Sequence, residues 1–215
     1  MNIKYFEKNT AGHDFVVGDI HGHFTQLATQ LQEIGFDENV DRLFSVGDLV
    51  DRGPESEDVL FWLAKPWFHA VRGNHEVMTY EQADYHISNG GMWYYGLSET
   101  EQKLIAFELA QLPLAIEVET DDGRVGIIHA QVPLLDWDIL KTEPNAIIEA
   151  EAVWGRSIMA KYKHTGDDGN TWVKNIDKVY VGHTIVKHPI VIGNIHYIDT
   201  SAYKGAGRLT IERIQ

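Results

Sequence analysis

Acidic, amide, imidazole and guanidinium side chains follow short apolar segments at several places along this 215-residue chain. Carboxylate, amide oxygen and imidazole suit Mn, Fe or Zn, whereas the guanidinium fork of arginine binds phosphate oxygens in a bidentate manner. The chain contains no cysteine, which excludes disulfides and thiolate ligands. These residue types predict a metal site beside a phosphate site. In chain order the residues are Asp19, His21, Asp48, Asp51, Arg52, Arg72, Asn74, His75, Glu76, His129 and His183.

The number of candidate metal ligands points to two metal ions. A single catalytic metal that keeps an open coordination position needs fewer donors than two carboxylates, one amide and three imidazoles. These donors fit a pair of metals, typically about 3.5–4 Å apart, that hold the attacking and leaving oxygens of a displacement at phosphorus. The candidate ligands are Asp19, His21, Asp48, Asn74, His129 and His183.

The segments that must position these residues alternate between strands and helices. Apolar runs at Asp14–Val17, Leu43–Val46 and Phe68–Val71 predict strands that each end in a glycine-bearing turn. Apolar residues at three- and four-residue spacing predict a helix from Phe24 to Ile34, and a second helix is expected after Pro54. This alternation favours parallel pairing in an α/β domain, where ligands gather beyond the carboxyl ends of the strands.

The second half of the chain predicts helices followed by short strands. Ser98 and Glu101 have the spacing of a capping box at a helix start. A Thr-Asp-Asp-Gly turn between Leu114–Glu119 and Arg124–His129 predicts a hairpin, and Glu143–Lys161 is predicted to be helical for much of its length. Further strands are predicted at Lys178–Val181, Ile190–Ile192, Ile195–Ile198 and Leu209–Arg213.

Length, composition and charge bound the class of protein. The hydrophobic fraction of 44% and the absence of repeats or linkers predict a single domain over residues 1–215. A net charge of -14 disfavours nucleic acid as a partner, because an acidic surface repels the phosphate backbone. We find neither a membrane-spanning apolar segment nor the apolar core of a signal peptide. We therefore expect a cytoplasmic protein with no membrane partner, and the oligomeric state stays open.

Five sequence blocks in a fixed order carry a resemblance to a known family. The blocks are GDIHG (18–22), GDLVDRGP (47–54), RGNHE (72–76), IHA (128–130) and GHT (182–184). On these blocks the chain resembles the phosphoprotein phosphatases of the metallophosphoesterase superfamily, in particular the bacteriophage lambda type and the bacterial PrpA and PrpB type. The resemblance covers nearly the whole chain. It implies a calcineurin-like α/β fold, a β-sandwich of two mixed sheets flanked by helices.

The resemblance implies how the candidate ligands divide between two divalent metal ions. Asp48 resembles the carboxylate that bridges both ions. Manganese is the implied metal, with iron or zinc as alternatives. The remaining ligands resemble those of the first ion at Asp19 and His21, and those of the second ion at Asn74, His129 and His183.

The resemblance also implies a reaction and its participants. His75 resembles the general acid that protonates the leaving oxygen, and Asp51 the carboxylate that orients it. Arg52, Arg72 and, in the segment VWGR, Arg156 resemble arginines that bind the phosphate group. The implied activity is that of a serine/threonine phosphatase, acting also on tyrosine in some members. A metal-bridging hydroxide would attack phosphate monoesters of phosphoproteins or phosphopeptides directly.

Other interpretations stay open from the sequence alone. A dinucleoside tetraphosphatase, or another nucleotide phosphoesterase, would share the GDxHG block. A catalytically silent metal-binding scaffold is disfavoured, because the acid and the arginines are present beside the ligands. The run Met92–Tyr95 fits either a substrate groove or the core. Several other histidines are predicted to be surface or turn residues, namely His13, His69, His86, His164 and His188.

Overall fold

The computed structural model describes residues 3–143, 145–166, 170–200 and 207–215. Within these ranges no helix is both long enough and apolar enough to cross a membrane. The strands, in chain order, are β1 Ile3–Phe6, β2 Asp14–Val17, β3 Arg42–Ser45, β4 Phe68–Ala70, β5 Ala115–Thr120, β6 Gly123–Ile128, β7 Lys178–Val181, β8 Ile190–Ile192, β9 Ile195–Tyr197 and β10 Ile211–Arg213.

The strands form two mixed sheets, as the resemblance implies. A six-stranded sheet has the order β1-β5-β6-β7-β9-β8, and a four-stranded sheet has the order β10-β2-β3-β4. Strands β2, β3 and β4 pair in parallel, as the alternation of strands and helices predicts. The predicted hairpin is present as the antiparallel pair β5–β6, and β6 continues into the parallel pair β6–β7.

Helices cover the outer face of each sheet. The predicted capping box is present, because the Ser98 hydroxyl accepts from the backbone N–H of Glu101 and the Glu101 carboxylate accepts from that of Ser98. The predicted helical segment Glu143–Lys161 is interrupted at Gly155, whose backbone is extended. The α-helices are α1 Phe24–Glu33, α2 Val59–Leu63, α3 Asn74–Glu81, α4 Met92–Tyr95, α5 Glu99–Gln111, α6 Ala146–Trp154 and α7 Ser157–Thr165.

The alternation of side chains along each strand builds separate apolar layers. Val16 of β2 and Ile127 of β6 point between the two sheets and pack there with Phe44. Phe15, the neighbour of Val16, points the other way and joins Leu27 of α1 on the outer face of the four-stranded sheet. The outer face of the six-stranded sheet packs against α6 and α7 in the same manner. Since the central strands β2, β3, β6 and β7 are largely buried on both faces, their carboxyl ends are held rigidly relative to each other.

Candidate active site

The carboxyl ends of strands from both sheets meet at one buried centre. Strands β2 and β3 of the four-stranded sheet lead into Asp19 and Asp48, and strands β6 and β7 of the six-stranded sheet lead into His129 and His183. Asn74 is the first residue of α3, immediately beyond β4. All the predicted metal ligands are at most 5% exposed, namely Asp19, His21, Asp48, Asn74, His129 and His183.

Backbone turns of left-handed conformation direct several of these side chains inwards. His21, Asp48 and His183 have φ angles of 46°, 51° and 62°. Residues other than glycine rarely adopt such angles, which cost on the order of 1–3 kcal/mol each unless the surrounding structure enforces them. Because strain of this kind concentrates at functional sites, its presence at three predicted ligands supports a role for this centre.

A close backbone approach is required where β7 meets the end of β2. A Cβ atom placed on Gly182 would lie 1.9 Å from Oδ1 of Asp19. The same carboxylate accepts the backbone N–H of His183, with N–O distances of 3.1 and 3.2 Å. Glycine at position 182 therefore allows the two strand ends to share one carboxylate.

The contacts of His129 fit a cation. Its Nδ1 donates to the carbonyl oxygen of Val46 at 2.8 Å, and burial lowers the pKa of the ring, so Nε2 carries a lone pair. That lone pair faces Oδ1 of Asn74 at 3.0 Å and Oδ1 of Asp48 at 3.3 Å. A lone pair directed at two oxygen acceptors is repulsive, whereas a metal ion among the three atoms would be bound by all of them.

His183 adds a further nitrogen to the same group of donors. Its Nδ1 lies 2.8 Å from Oδ1 of Asn74, and its buried Nε2 has no hydrogen-bond partner among the described residues. Burial lowers the pKa of His183 to about 3, so the ring is neutral and able to bind a metal. Atoms of Asp48, His129 and His183 all lie within 4.8 Å of one another, which is the geometry a single ion could occupy.

A second group of donors surrounds the other oxygen of Asp48. His21 donates from Nδ1 to the carbonyl oxygen of Val50 at 2.9 Å, and its Nε2 lies 3.6 Å from Oδ2 of Asp48. Burial lowers the pKa of His21 to about 3, so this ring too is neutral. Nε2 of His75 lies 3.8 Å from the same Oδ2, and one donor atom from each of the three side chains again falls within 4.8 Å of the others, although the predicted role of His75 is that of a proton donor and not of a metal ligand. The two groups share only Asp48, as expected of a carboxylate between two ions.

Asp19 belongs to neither of these groups, although it was predicted to bind the first metal together with His21. Burial, followed by the charges of Asp199 and Asp48, raises the pKa of Asp19 well above its ordinary value. A cation beside Asp19 would relieve this repulsion. Asp199, which sequence reasoning left without a role, is therefore an electrostatic neighbour of the centre, and it is 2% exposed.

His75 is held by a buried carboxylate, as the resemblance implies. Its Nδ1 donates to Oδ2 of Asp51 at 2.7 Å, while its Nε2 has no hydrogen-bond partner in the described part of the chain. Although burial opposes protonation of the ring, the Asp48 charge and the Asp51 hydrogen bond raise the pKa of His75 above its ordinary value. A protonated imidazole with one nitrogen anchored and the other open is suited to donate a proton.

His86 was predicted to be a surface or turn residue; it lies in a turn, but it is not at the surface. The side chain is fully buried and its Nε2 lies 3.0 and 3.1 Å from the two oxygens of Asp51. Trp93 also donates its indole N–H to Asp51, at 2.7 Å. The segment between α3 and α5 therefore contributes to the site through His86 and through Trp93, which belongs to the run Met92–Tyr95 that the sequence left open between a substrate groove and the core.

Glu76 is a second buried residue of the site, one that the sequence placed among the candidate residues without an individual role. Its carboxylate accepts the backbone N–H groups of Asp48, Leu49 and Gly73, at 2.8, 2.8 and 2.6 Å. Burial and the charge of Asp48 raise the pKa of Glu76 to about 7. These bonds fix the turn that presents Asp48. The sequence feature that could have indicated a role for Glu76 was its position within the RGNHE block.

Two of the predicted phosphate-binding arginines have exposed side chains beside the centre. The guanidinium group of Arg52 contacts Nε2 of His21, and its charge acts on His75. Arg156 immediately precedes α7, and after burial and other neighbours its charge also lowers the pKa values of His129 and His183. Exposed cations at the rim of a buried acidic and imidazole centre fit the binding of an anion from solvent.

Arg72 is placed differently from the other two arginines. Its Nη2 lies 3.6 Å from a carboxylate oxygen of Glu149 on α6. Together with Trp154 these residues line a pocket of about 210 Å³ between α3 and α6. The predicted role of Arg72 in phosphate binding therefore requires it to share its charge with Glu149.

Comparisons with known proteins agree on the kind of chemistry. A family model described as calcineurin-like phosphoesterase matches residues 15–187. Serine/threonine-protein phosphatase 1 of Salmonella typhimurium is 37% identical over 211 residues, which cover 94% of this chain and 92% of the relative. The match to this relative therefore extends over nearly the full length of both proteins.

Nucleotide phosphoesterases are also among the similar proteins. The symmetrical bis(5'-nucleosyl)-tetraphosphatase of Serratia proteamaculans is 42% identical over 172 residues, which cover 74% of this chain and 56% of the relative. A crystal structure of a protein provisionally assigned as a diadenosine tetraphosphatase superposes with a TM-score of 0.71 at 21% identity, covering 99% of this chain and 93% of the other. At that identity the superposition supports the fold alone.

Proposed function

Since this chain belongs to the calcineurin-like phosphoesterase family, we propose that it is a metal-dependent phosphatase that removes phosphate from serine and threonine side chains of proteins. Hydrolysis of phosphate esters follows from the family. The protein substrate is supported by the relative from Salmonella typhimurium, which matches over 92% of its own length. The tetraphosphatase relative is matched over 56% of its length.

One observation carries the proposal. Nε2 of His75 is buried, lacks a hydrogen-bond partner among the described residues, and lies 3.8 Å from the carboxylate oxygen of Asp48 that His21 also approaches. A candidate proton donor thus faces the carboxylate shared by both candidate metal groups. Metal ligands alone would suit a structural site, whereas an adjacent anchored acid suits a hydrolase.

The ligand set defines what the metal ions would contribute. Carboxylate, amide oxygen and imidazole without thiolate suit manganese, iron or zinc. Two such ions, when bound, would lower the pKa of coordinated water and neutralise charge developing at phosphorus. The proposed ligands are Asp19, His21, Asp48, Asn74, His129 and His183.

The remaining residues have distinct proposed roles in the reaction. Arg52 and Arg156 bind phosphate oxygens from the rim, and Arg72 assists them. His75 gives its Nε2 proton to the ester oxygen as the bond from phosphorus to that oxygen breaks. Asp51 keeps the Nδ1 proton of His75 in place throughout, so the ring returns to its starting orientation when it is protonated again.

The proposal is tested by a substrate panel measured on protein stripped of metal and reloaded with manganese. Phosphoserine, phosphothreonine and phosphotyrosine peptides are compared with diadenosine tetraphosphate at equal concentration. We expect hydrolysis of the phosphoserine and phosphothreonine peptides only after reloading. The His75→Asn variant, purified identically, controls for contaminating host phosphatases. Preferential hydrolysis of diadenosine tetraphosphate would show that the substrate is a dinucleotide and not a phosphoprotein.

A further inference from the structure

The segment between α3 and α5 places a second imidazole behind the His75–Asp51 pair. His86 is fully buried, and its Nε2 lies within 3.1 Å of both oxygens of Asp51. Asp51 thus receives hydrogen bonds from His75, His86 and Trp93, and its backbone N–H donates to the hydroxyl of Ser56 at 2.9 Å. Side-chain donors surround the carboxylate, so its orientation depends on all of them.

The hydrogen-bond partners of His86 determine which of its nitrogens carries hydrogen. Thr79 gives its hydroxyl hydrogen to the carbonyl oxygen of His75 at 2.8 Å, so towards His86 Nε2, 3.2 Å away, it offers only lone pairs. The other neighbour of Nε2, the ionised carboxylate of Asp51, is also only an acceptor. Nε2 of His86 must therefore carry a hydrogen and donate it to Asp51.

The fold leaves space for this ring at one glycine. A Cβ atom placed on Gly91 would lie 2.2 Å from both Nε2 and Cδ2 of His86. The backbone φ of Gly91 is -81°, an angle open to any residue, so glycine is required here for its lack of a side chain. The imidazole of His86 is thus pressed between the backbone of Gly91 and the carboxylate of Asp51.

We propose that His86 is a positioning residue for the proton donor His75. By donating to Asp51, His86 fixes the carboxylate oxygens so that Oδ2 points at Nδ1 of His75. That bond in turn holds Nε2 of His75 towards the leaving oxygen. The inference rests on the proposed function only in that His75 acts as a general acid, and it does not depend on whether the substrate is a protein.

The role predicts a selective effect on substrates with poor leaving groups. His86→Phe keeps a flat ring but removes the donor, and we expect kcat to fall on the order of 10- to 100-fold for an alkyl phosphate, as for other residues that orient catalytic groups through hydrogen bonds. For p-nitrophenyl phosphate, whose leaving group needs little protonation, kcat should fall by less than about threefold. His86→Gln retains an N–H near the position of Nε2 and should restore most of the alkyl phosphate activity.

Two further variants distinguish a loss of positioning of His75 from a general loss of structure. Gly91→Ala leaves the chemistry of His86 intact but displaces its ring, so it should reproduce the selective loss even if His86→Phe folds poorly. His164→Phe carries the same substitution at an exposed site in the last turn of α7 and should match the wild type on both substrates. Metal content, measured on every variant, should equal that of the wild type.

The outcomes distinguish this inference from the proposed function. Equal losses on both substrates, or no loss on the alkyl phosphate, in His86→Phe and Gly91→Ala would overturn the role of His86. If the wild type hydrolyses neither substrate, the result would instead contradict the proposed function. In that case imidazole NMR still decides the geometry: we expect the Nδ1 proton signal of His75 to broaden or shift in His86→Phe, and an unchanged signal would refute the inference.

Discussion

Nε2 of His129 lies 3.3 Å from Oδ1 of Asp48, although the two residues follow strands of different sheets. Nδ1 of the same ring bonds the carbonyl oxygen of Val46, two residues before Asp48. The candidate metal centre therefore exists only where the four-stranded and the six-stranded sheet are packed together. Metal binding and packing of the sandwich should accordingly stabilise each other, because an ion that binds only the folded state shifts the folding equilibrium.

Asp48→Asn removes the charge shared by the two groups of donors. We expect the variant to bind less metal than the wild type and to lose most of the rise in melting temperature that manganese gives the wild type. An excess of about 100 times the dissociation constant stabilises by about 2.7 kcal/mol, so the wild-type shift is measurable by calorimetry. Asp58→Asn, an equivalent change at an exposed site, is the control. Wild-type metal content and activity in Asp48→Asn would exclude a bridging role.

His75→Asn removes the proposed proton donor while leaving the candidate ligands in place. Turnover of a substrate with a poor leaving group should fall by roughly 10²–10⁴, the contribution typical of general acid catalysis. An activated aryl phosphate should be much less affected, and metal content should not change. Steady-state kinetics on the two substrates provide the comparison. If both rates fall by the same factor, His75 has a role other than proton donation.

Arg52→Lys replaces a guanidinium fork with a single ammonium group at the rim of the site. Affinity for inorganic phosphate should weaken on the order of tenfold, since hydrogen bonds between charged groups contribute roughly 1.5–3 kcal/mol. Arg72→Lys should cost less, because Arg72 already shares its charge with Glu149, 3.6 Å away. The inhibition constant of phosphate reports both changes. A larger loss in Arg72→Lys would mean that Arg72 turns away from Glu149 to hold the anion.

Gly182→Ala introduces a Cβ atom 1.9 Å from Oδ1 of Asp19, a distance that requires the carboxylate or the strand end to move. We expect a lower melting temperature and a reduced metal content. Gly96→Ala is the matched control, since a Cβ atom there meets only the carbonyl oxygen of Trp93 at 3.3 Å. Equal behaviour of the two variants would show that the turn at position 182 tolerates a side chain.

Acidification should destabilise the fold partly through His69. His69 was predicted to be a surface or turn residue, but it lies half-buried in strand β4. Burial, with the charges of Lys4 and Arg42, lowers the pKa of His69 from 6.5 to about 4. Between these values the unfolded chain binds a proton that the folded chain does not, so the free energy of unfolding falls as the pH falls from 6.5 to 4. His69→Phe should reduce this slope without abolishing it, because burial also lowers the pKa of His196 to about 4.

Denaturant titrations at several pH values between these limits measure the slope. The variant and the wild type should differ most near the acid end of the range. A slope that is unchanged in His69→Phe would mean that His69 is protonated equally in the folded and unfolded states.

Local patterns in the sequence predicted most of the elements that position the site. The strands Asp14–Val17 and Lys178–Val181 have the predicted bounds, and β3 differs by one residue at each end. Strand β1 was not predicted, and its partner β5 lies more than a hundred residues further along the chain. A strand of four residues is too short to show a clear alternation of apolar and polar residues, and its distant partner leaves no mark on the local sequence.

The supporting residues of the site were missed for the same reason as strand β1, because their contacts are with residues far away in the sequence. The sequence around His86 is typical of a turn. The contact of His86 with Asp51, 35 positions away, cannot be predicted from that local sequence. Glu76 stands inside a recognisable block, yet its bonds to Asp48 and Leu49 appear only once β3 and β4 are side by side. Motif spacing predicted which polar residues the fold brings together at the candidate site, whereas the residues that support them depend on tertiary packing.

The central claim is that Asp48 lies between two metal ions. Diffraction from crystals of manganese-loaded protein, recorded at the manganese absorption edge, tests it directly. The account predicts two anomalous peaks about 3.5–4 Å apart, each adjacent to a different oxygen of Asp48. One of them should lie among Asn74, His129 and His183 and the other beside His21. A single peak, or peaks remote from Asp48, would contradict the account.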